Sequence, residues 1–428
     1  MSSPELQQLA LELSTAQNET KKKVFVIYTG GTIGMKEQED GLKPVPGALV
    51  PFLRTQPSLH DPKYPEKLPE NTLVLPLSRM NMRVIYTVSE YDPLLDSSNM
   101  NAKDWAKIAS DIQKNYGNYD GFVVLHGTDT MAYTSSALSF ICKDHQKSIV
   151  LTGSQVPIYE PKNDARDNLL GALLIASQFQ IPEVTLYFNH KLFRGNRVTK
   201  VDATNYAAFD SPNYPPLLNA AKDFKVDWDL VWDSTAAESF DINTDHIPIV
   251  RLLKFFPGFD ANMVRAVLSV PAESVRAVSA ELVTEDPAEL MTDGLAELMT
   301  EDPAEPATHV LELLKEVKGA VVESFGAGNS PNDPKILQEF KQAVDRGVLI
   351  MNCTQCLKGT VTMDYNTGQL LEEQGLIPGR DMTPEAAIGK LFYVLGKKDL
   401  TPEARREMLK RSIRGEMTID RKIFQEQQ

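Results

Sequence analysis

The chain holds only three cysteines, Cys142, Cys353 and Cys356, in 428 residues. That is too few for a disulfide framework, and it fits a reducing compartment. Long apolar runs are missing too: a stretch such as Leu169–Ala176 falls far short of the ~20 residues a membrane-spanning helix needs. Positive charge is in deficit, with 44 Lys+Arg against 58 Asp+Glu and a formal net charge of −14. A nucleic-acid binder shows the opposite balance, so neither nucleic acid nor a membrane is expected as a partner. The opening residues, MSSPELQQLALELSTAQNETKKK, carry Glu5 and Glu12 and lack the unbroken apolar core of a secretory signal. A soluble, cytoplasmic protein long enough for two domains is the expectation.

Several catalytic signatures are absent as well. No GxxxxGK[ST] phosphate loop, GxSxG elbow or HExxH zinc motif occurs. Gly326-Ala327-Gly328 fails the dinucleotide pattern, because Pro331 stands where the third glycine belongs. Cys353-Thr354-Gln355-Cys356 has CxxC spacing, but no second CxxC or HxxxH pair completes four zinc ligands. Two reduced, largely buried thiols are expected there, and no metal.

What is present is a repeated grammar of short apolar strand, polar loop and helix. Residues 4–14 read as an amphipathic helix in an N-terminal extension, 1–22. Val24-Phe25-Val26-Ile27-Tyr28 then reads as a strand buried on both faces and ends in the glycine-rich Thr29-Gly30-Gly31-Thr32-Ile33-Gly34. Gly121–Leu125 runs into His126-Gly127-Thr128-Asp129-Thr130 and a helix from about 132 to 142; Ser148–Leu151 runs into Thr152-Gly153-Ser154-Gln155 and a helix from about 164 to 177. Val184–Phe188 is followed by the polar segment Arg194–Lys200. Such alternation predicts a parallel α/β sheet whose loops at the carboxyl ends of the strands face one cleft. The rhythm fails after about Ser211, so 23–215 reads as the first domain, 216–245 as a linker, 246–400 as a second α/β domain and 401–428 as a closing helix. Within the second domain, 280–305 repeats an eight-residue unit (AELVTEDP, AELMTDGL, AELMTEDP) and supplies nine carboxylates with no Lys or Arg. Period eight suits neither helix nor strand, and a solvated insertion is expected.

Hydroxyls beside glycines at strand ends can be nucleophiles, anion-binding groups or turn residues. Asp129 can hold an ammonium group or cap the following helix. His126 can serve as a base or be packed and neutral. Lys200 is a surface lysine unless it is buried beside a threonine, where its amine could accept a proton.

The combination is more specific than its parts. Tyr28-Thr29-Gly30-Gly31-Thr32-Ile33-Gly34-Met35, Tyr91-Asp92-Pro93-Leu94-Leu95-Asp96-Ser97-Ser98, His126-Gly127-Thr128-Asp129-Thr130-Met131, Thr152-Gly153-Ser154-Gln155 and Arg194-Gly195-Asn196-Arg197-Val198-Thr199-Lys200 stand in order. With Asn352-Cys353-Thr354-Gln355-Cys356 they extend over roughly residues 23–398. Together they resemble the bacterial-type L-asparaginase family, in its cytosolic type I branch and animal relatives. The resemblance implies an asparaginase/glutaminase-like fold, a larger N-terminal doubly wound parallel sheet with a smaller C-terminal α/β domain. It implies cofactor-free hydrolysis of L-asparagine to L-aspartate and ammonia by a homo-oligomer, dimer or tetramer.

Carried over by motif, Thr32 is the nucleophile, and Thr128, Asp129 and Lys200 form the second hydroxyl–carboxylate–ammonium group. Asp96 and Ser97 hold the substrate's α-amino and α-carboxylate groups with help from Thr128 and Asp129, and Ser98 stands where secreted relatives have glutamine. Residues 36–63 lack the tyrosine that assists the nucleophile in those relatives, and Tyr365 is the candidate for this branch. The competing expectations are a glutaminase-like or lysophospholipase-type hydrolase of the same fold, a tRNA-dependent amidotransferase subunit, and a non-catalytic asparagine sensor. No ankyrin period of about 33 residues, the mark of vertebrate relatives, is found.

Overall fold

The structure is a computed structural model that describes residues 19–39, 41–78, 81–220, 223–232, 239–240, 247–269, 317–362 and 366–418. The chain divides into two compact units, residues 1–245 with 413–428, and 246–412. The expected helix at 4–14, the acidic repeat at 280–305 and Tyr365 lie outside the described residues.

The first unit is built on a nine-stranded sheet. At its centre five strands run parallel, in the spatial order Met82–Leu95, Thr20–Gly30, Gly121–Leu125, Ile149–Thr152 and Val184–Phe188. Side chains along Thr20–Gly30 alternate between two apolar layers. Val24, Val26 and Tyr28 pack with Leu169 and Leu173 of the helix Ala165–Gln178, while Phe25 and Ile27 pack with Ile108, Ile112 and Leu138 of the helices Ala102–Asn115 and Met131–Ile141. Helices on both faces explain why these strands read as unbroken apolar runs. The first strand in the chain pairs with the second on one side and the third on the other. The chain therefore reverses direction across the sheet between Thr20–Gly30 and Gly121–Leu125, the crevice where α/β sheets of this kind bind ligands.

The edges of this sheet correct two expectations. The strand at the N-terminus starts at Thr20, inside the segment read as a helical extension. Leu218–Ala220 and Phe224–Val226, inside the expected linker, add two antiparallel strands beyond Lys191–Arg194. They are short and bracketed by prolines and charges, so nothing in their local pattern marks them as strands; pairing with Lys191–Arg194 supplies the backbone hydrogen bonds that select them.

The second unit carries a four-stranded parallel sheet in the order Ile249–Lys254, Val317–Ser324, Leu349–Thr354 and Ile377–Pro378. Its helices begin with strong start signals: Asp333, Thr383 and Thr401 cap helices whose first residues are Pro334, Pro384 and Pro402. The closing helix is Pro402–Lys410, shorter than the expected 401–428, and the chain beyond it returns to the first unit. Cys353 is buried but Cys356 is exposed, against the expectation of two buried thiols, because Cys356 lies past the end of the strand Leu349–Thr354.

The polar segment Arg194–Lys200 is almost wholly buried. Arg194 pairs with Glu183 through Nε and Nη2, at 2.5 and 3.0 Å, and donates to the carbonyls of Leu230 and Gly415. Arg197 donates to the Gly415 carbonyl and to Thr418 Oγ1, and Asn196 to the Arg414 carbonyl. A buried charge is tolerated only when paired, so Glu183→Gln is expected to cost about 3–5 kcal/mol, more than replacing Glu183 and Arg194 together by apolar residues. Denaturant unfolding of the single and double variants checks this; a single variant no less stable than the double would refute it.

Candidate active site

Three loops meet at the carboxyl end of the parallel strands, and glycine is what lets them meet. Gly31 has φ 85°, and a Cβ there would fall 2.5 Å from the Gly127 backbone. A Cβ on Gly127 would fall 2.5 Å from Ser97 Oγ, and one on Gly30 2.1 Å from the Leu95 carbonyl oxygen. The loops that follow Thr20–Gly30 and Gly121–Leu125 are thus packed backbone against backbone, and Gly127 leaves room for the Ser97 side chain from the loop after Met82–Leu95. Asp96–Ser98, Thr32 and Thr128–Asp129 are brought to one place at the switch point of the sheet.

Within that place the side chains divide by burial. Thr32 opens a short 3-10 turn, Thr32–Gly34, steadied by the Ile158 N–H donating to the Ile33 carbonyl at 3.0 Å. Thr32 is part-buried, and its hydroxyl meets no hydrogen-bonding partner among the described residues. Thr128 is 6 % exposed; its hydroxyl donates to Gln155 Oε1 at 3.1 Å and accepts from Lys200 Nζ at 2.9 Å. The same ammonium donates to Asp129 Oδ1 at 2.8 Å. Lys200 is largely covered, its side chain 19 % exposed, whereas that of Asp129 is 65 % exposed. Asp129 therefore has one oxygen on Lys200 and open surface for another cation.

Lys200 reaches this position because its two-residue strand, Thr199–Lys200, pairs with Phe209–Asp210. The loop before it is fixed from behind, with Ser135 Oγ donating to the Gly195 carbonyl at 2.7 Å. Asp96 Oδ1 accepts from both the N–H and the hydroxyl of Ser98, each at 2.9 Å, and Ser97 is buried with its carbonyl accepting from Thr130 Oγ1 at 2.7 Å. Asp96 and Ser98 are exposed.

His126 is not a base in this arrangement. It is fully buried, and burial pushes its pKa down to about 4, so the ring is neutral. Gln155 is the contact that reading the sequence passed over, although Thr152-Gly153-Ser154-Gln155 follows the fourth parallel strand as the other loops follow theirs. The set offers two hydroxyls, an ammonium and exposed carboxylates in a crevice at strand ends, which suits acyl transfer on a small zwitterion. Among the described residues no helix is long and apolar enough to cross a membrane.

Comparison with known proteins agrees with the architecture. Residues 23–232 match the family described as "Asparaginase, N-terminal", and residues 249–409 match "Glutaminase/Asparaginase C-terminal domain". The chain is 42% identical over 401 residues to a "60 kDa lysophospholipase" of Mus musculus, but spans only 63% of that protein's length. It is 38% identical over 405 residues to "L-asparaginase 1" of Escherichia coli (strain K12), with 94% of this chain and 99% of that one covered. The crystal structure of L-asparaginase I from Vibrio cholerae superposes with a TM-score of 0.71 at 36% identity, covering 94% of this chain and 100% of that one. Both domains, in order and nearly end to end, are accounted for: the chain belongs to the asparaginase family.

Proposed function

We propose that the chain is an L-asparaginase, hydrolysing the side-chain amide of L-asparagine to L-aspartate and ammonia through Thr32. The observation that carries this reading is the Thr128–Lys200–Asp129 group, held one backbone contact away from the loop of Thr32. A threonine hydroxyl is a weak nucleophile and needs a base, and splitting the reaction through an ester makes two easier steps of one hard one. In this reading Thr32 Oγ1 attacks the amide carbon, its proton passes to the leaving nitrogen, and ammonia departs from a β-aspartyl ester. Water then adds to the ester carbon, a proton returns to Thr32 Oγ1, and L-aspartate leaves.

Lys200 Nζ exchanges a proton with Thr128 Oγ1, to which it is hydrogen-bonded, and Asp129 offsets the charge on Lys200. The exposed carboxylates of Asp96 and Asp129 receive the substrate's α-ammonium group, and Ser97 and Ser98 receive its α-carboxylate. Tyr365 keeps the role of assisting the nucleophile, and the working form is a cytoplasmic homo-oligomer without cofactor.

The name of the mouse relative supports a second reading, a lysophospholipid hydrolase, since an ester carbonyl takes the same attack. One assay separates them: ammonia release from L-asparagine and L-glutamine beside fatty-acid release from lysophosphatidylcholine. Saturable ammonia release from asparagine, with no fatty acid, is expected. Glutamine, one methylene longer, is expected to be slower by the factor that about 1–3 kcal/mol allows. Fatty acid without ammonia would replace the first reading by the second. Neither product, with asparagine still raising the melting temperature, would leave an asparagine-binding protein.

A further inference from the structure

Behind the Thr128 loop runs a line of hydrogen bonds whose direction is fixed by chemistry. His126 Nδ1 lies 2.7 Å from the carbonyl oxygen of Gly127. A carbonyl only accepts, so Nδ1 carries the ring's proton. In the neutral ring Nε2 is then a bare acceptor, and its neighbour, Thr134 Oγ1 at 2.8 Å, must donate to it. Thr134 Oγ1 in turn accepts from Trp105 Nε1–H at 3.1 Å. The donors therefore point one way, from Trp105 on Ala102–Asn115, through Thr134 on Met131–Ile141, to His126 and the Gly127 carbonyl. All three side chains are buried. Bonds aligned in this sense polarise one another in a dry interior.

The end of the line is the peptide that joins Gly127 to Thr128. In a trans peptide the C=O and N–H point to opposite edges, so holding the Gly127 carbonyl on His126 turns the Thr128 N–H the other way. Among the described residues no backbone or side-chain group accepts from that N–H. It is a free donor on the residue whose hydroxyl meets Lys200.

We infer that Trp105, Thr134 and His126 form a positioning relay that locks the Gly127–Thr128 peptide in one orientation, so that the Thr128 N–H stays aimed at the carbonyl oxygen that becomes negative during attack. The inference rests on the reading of the site as an acyl-transfer centre. None of the three residues touches the substrate. The relay supplies preorganisation, since a peptide free to turn would present its carbonyl oxygen, a repulsive group, to the developing oxyanion. The neutral ring is what burial enforces at His126, whose pKa is pushed down to about 4.

Two substitution pairs test it, scored as kcat and KM separately with melting temperature alongside. Leucine fills the space of the ring without a donor, whereas the amide of asparagine can place an N–H near the position of Nδ1. His126→Leu is expected to lower kcat about 10²-fold, the loss from one oxyanion donor, with KM little changed. His126→Asn is expected to recover most of that loss. Because His126→Leu risks misfolding, Thr134→Val removes only the hydroxyl and keeps the shape; it is expected to lower kcat several-fold, and Thr134→Ser to restore it.

A merely structural role predicts instead that melting temperature falls while kcat of the folded protein holds, and that His126→Asn is no better than His126→Leu. Either result overturns the relay. In parallel, 15N shifts of the ring, assigned by comparison with His126→Asn, are expected to report the proton on Nδ1. A proton on Nε2 overturns the inference whatever the activity. Should the wild type release no ammonia from asparagine, the functional reading fails first. The same kcat comparison is then made with the ester substrate, and the ring shifts judge the relay independently.

Discussion

Thr32→Ala is expected to lower ammonia release from L-asparagine by about 10⁴–10⁶-fold, the scale on which hydrolases lose rate when the nucleophile is deleted. The fold should survive, because the Thr32 hydroxyl has no hydrogen-bonding partner among the described residues and the turn is held by backbone bonds. The groups assigned to the α-ammonium and α-carboxylate are untouched, so asparagine should still raise the melting temperature of the variant, as any ligand of the folded state does. Loss of turnover with binding retained is the pattern of a residue that acts in the transition state. A variant that keeps even a tenth of the rate would remove Thr32 from the mechanism and shift attention to Thr128, the other hydroxyl at the switch point.

Lys200→Met carries the second largest expectation. Met is close to Lys in length, so packing changes little, but the contacts to Thr128 Oγ1 and Asp129 Oδ1 disappear together. A positioned proton carrier is worth about 10²–10⁴-fold, and kcat is expected to fall within that range. Lys200→Arg discriminates the cause. Guanidinium keeps the positive charge and can still pair with Asp129, but it does not give up a proton in this pH range. Failure of arginine to restore kcat is expected if Lys200 moves a proton. Near-complete rescue would mean that it contributes only charge, and that the proton route lies elsewhere.

Much of this candidate site is legible in the sequence, because its polar residues sit where the strand pattern breaks. Val24–Tyr28 can be read as a buried strand from its unbroken apolar run, and Thr29–Gly34 as a loop from its glycines. The order of motifs then brings Thr32, Asp96–Ser98, Thr128–Asp129 and Lys200 to one sheet end. What could not be read is what long-range contacts decide. Arg194, Asn196 and Arg197 read only as part of a polar segment, and nothing local names their partners, which are Glu183 and a segment near Gly415, more than two hundred residues away in the second case. Leu218–Ala220 and Phe224–Val226 become strands only because an antiparallel edge is available to them. His126 gives no local sign of whether it works as a base; its burial, which pushes the ring's pKa down to about 4, is what keeps it neutral. Thr134 looks like an ordinary helical residue until its bond to His126 is seen.

The mechanism as a whole turns on a covalent β-aspartyl ester at Thr32, and hydroxylamine tests for that ester directly. With L-asparagine and rising hydroxylamine, the ester should partition between water and the added nucleophile. The account predicts β-aspartyl hydroxamate accumulating at the expense of L-aspartate, in a ratio set by hydroxylamine concentration and absent in Thr32→Ala. Ammonia released from asparagine with L-aspartate as the sole product at every hydroxylamine concentration would contradict it, since water would then have attacked the amide without an intervening acyl-enzyme.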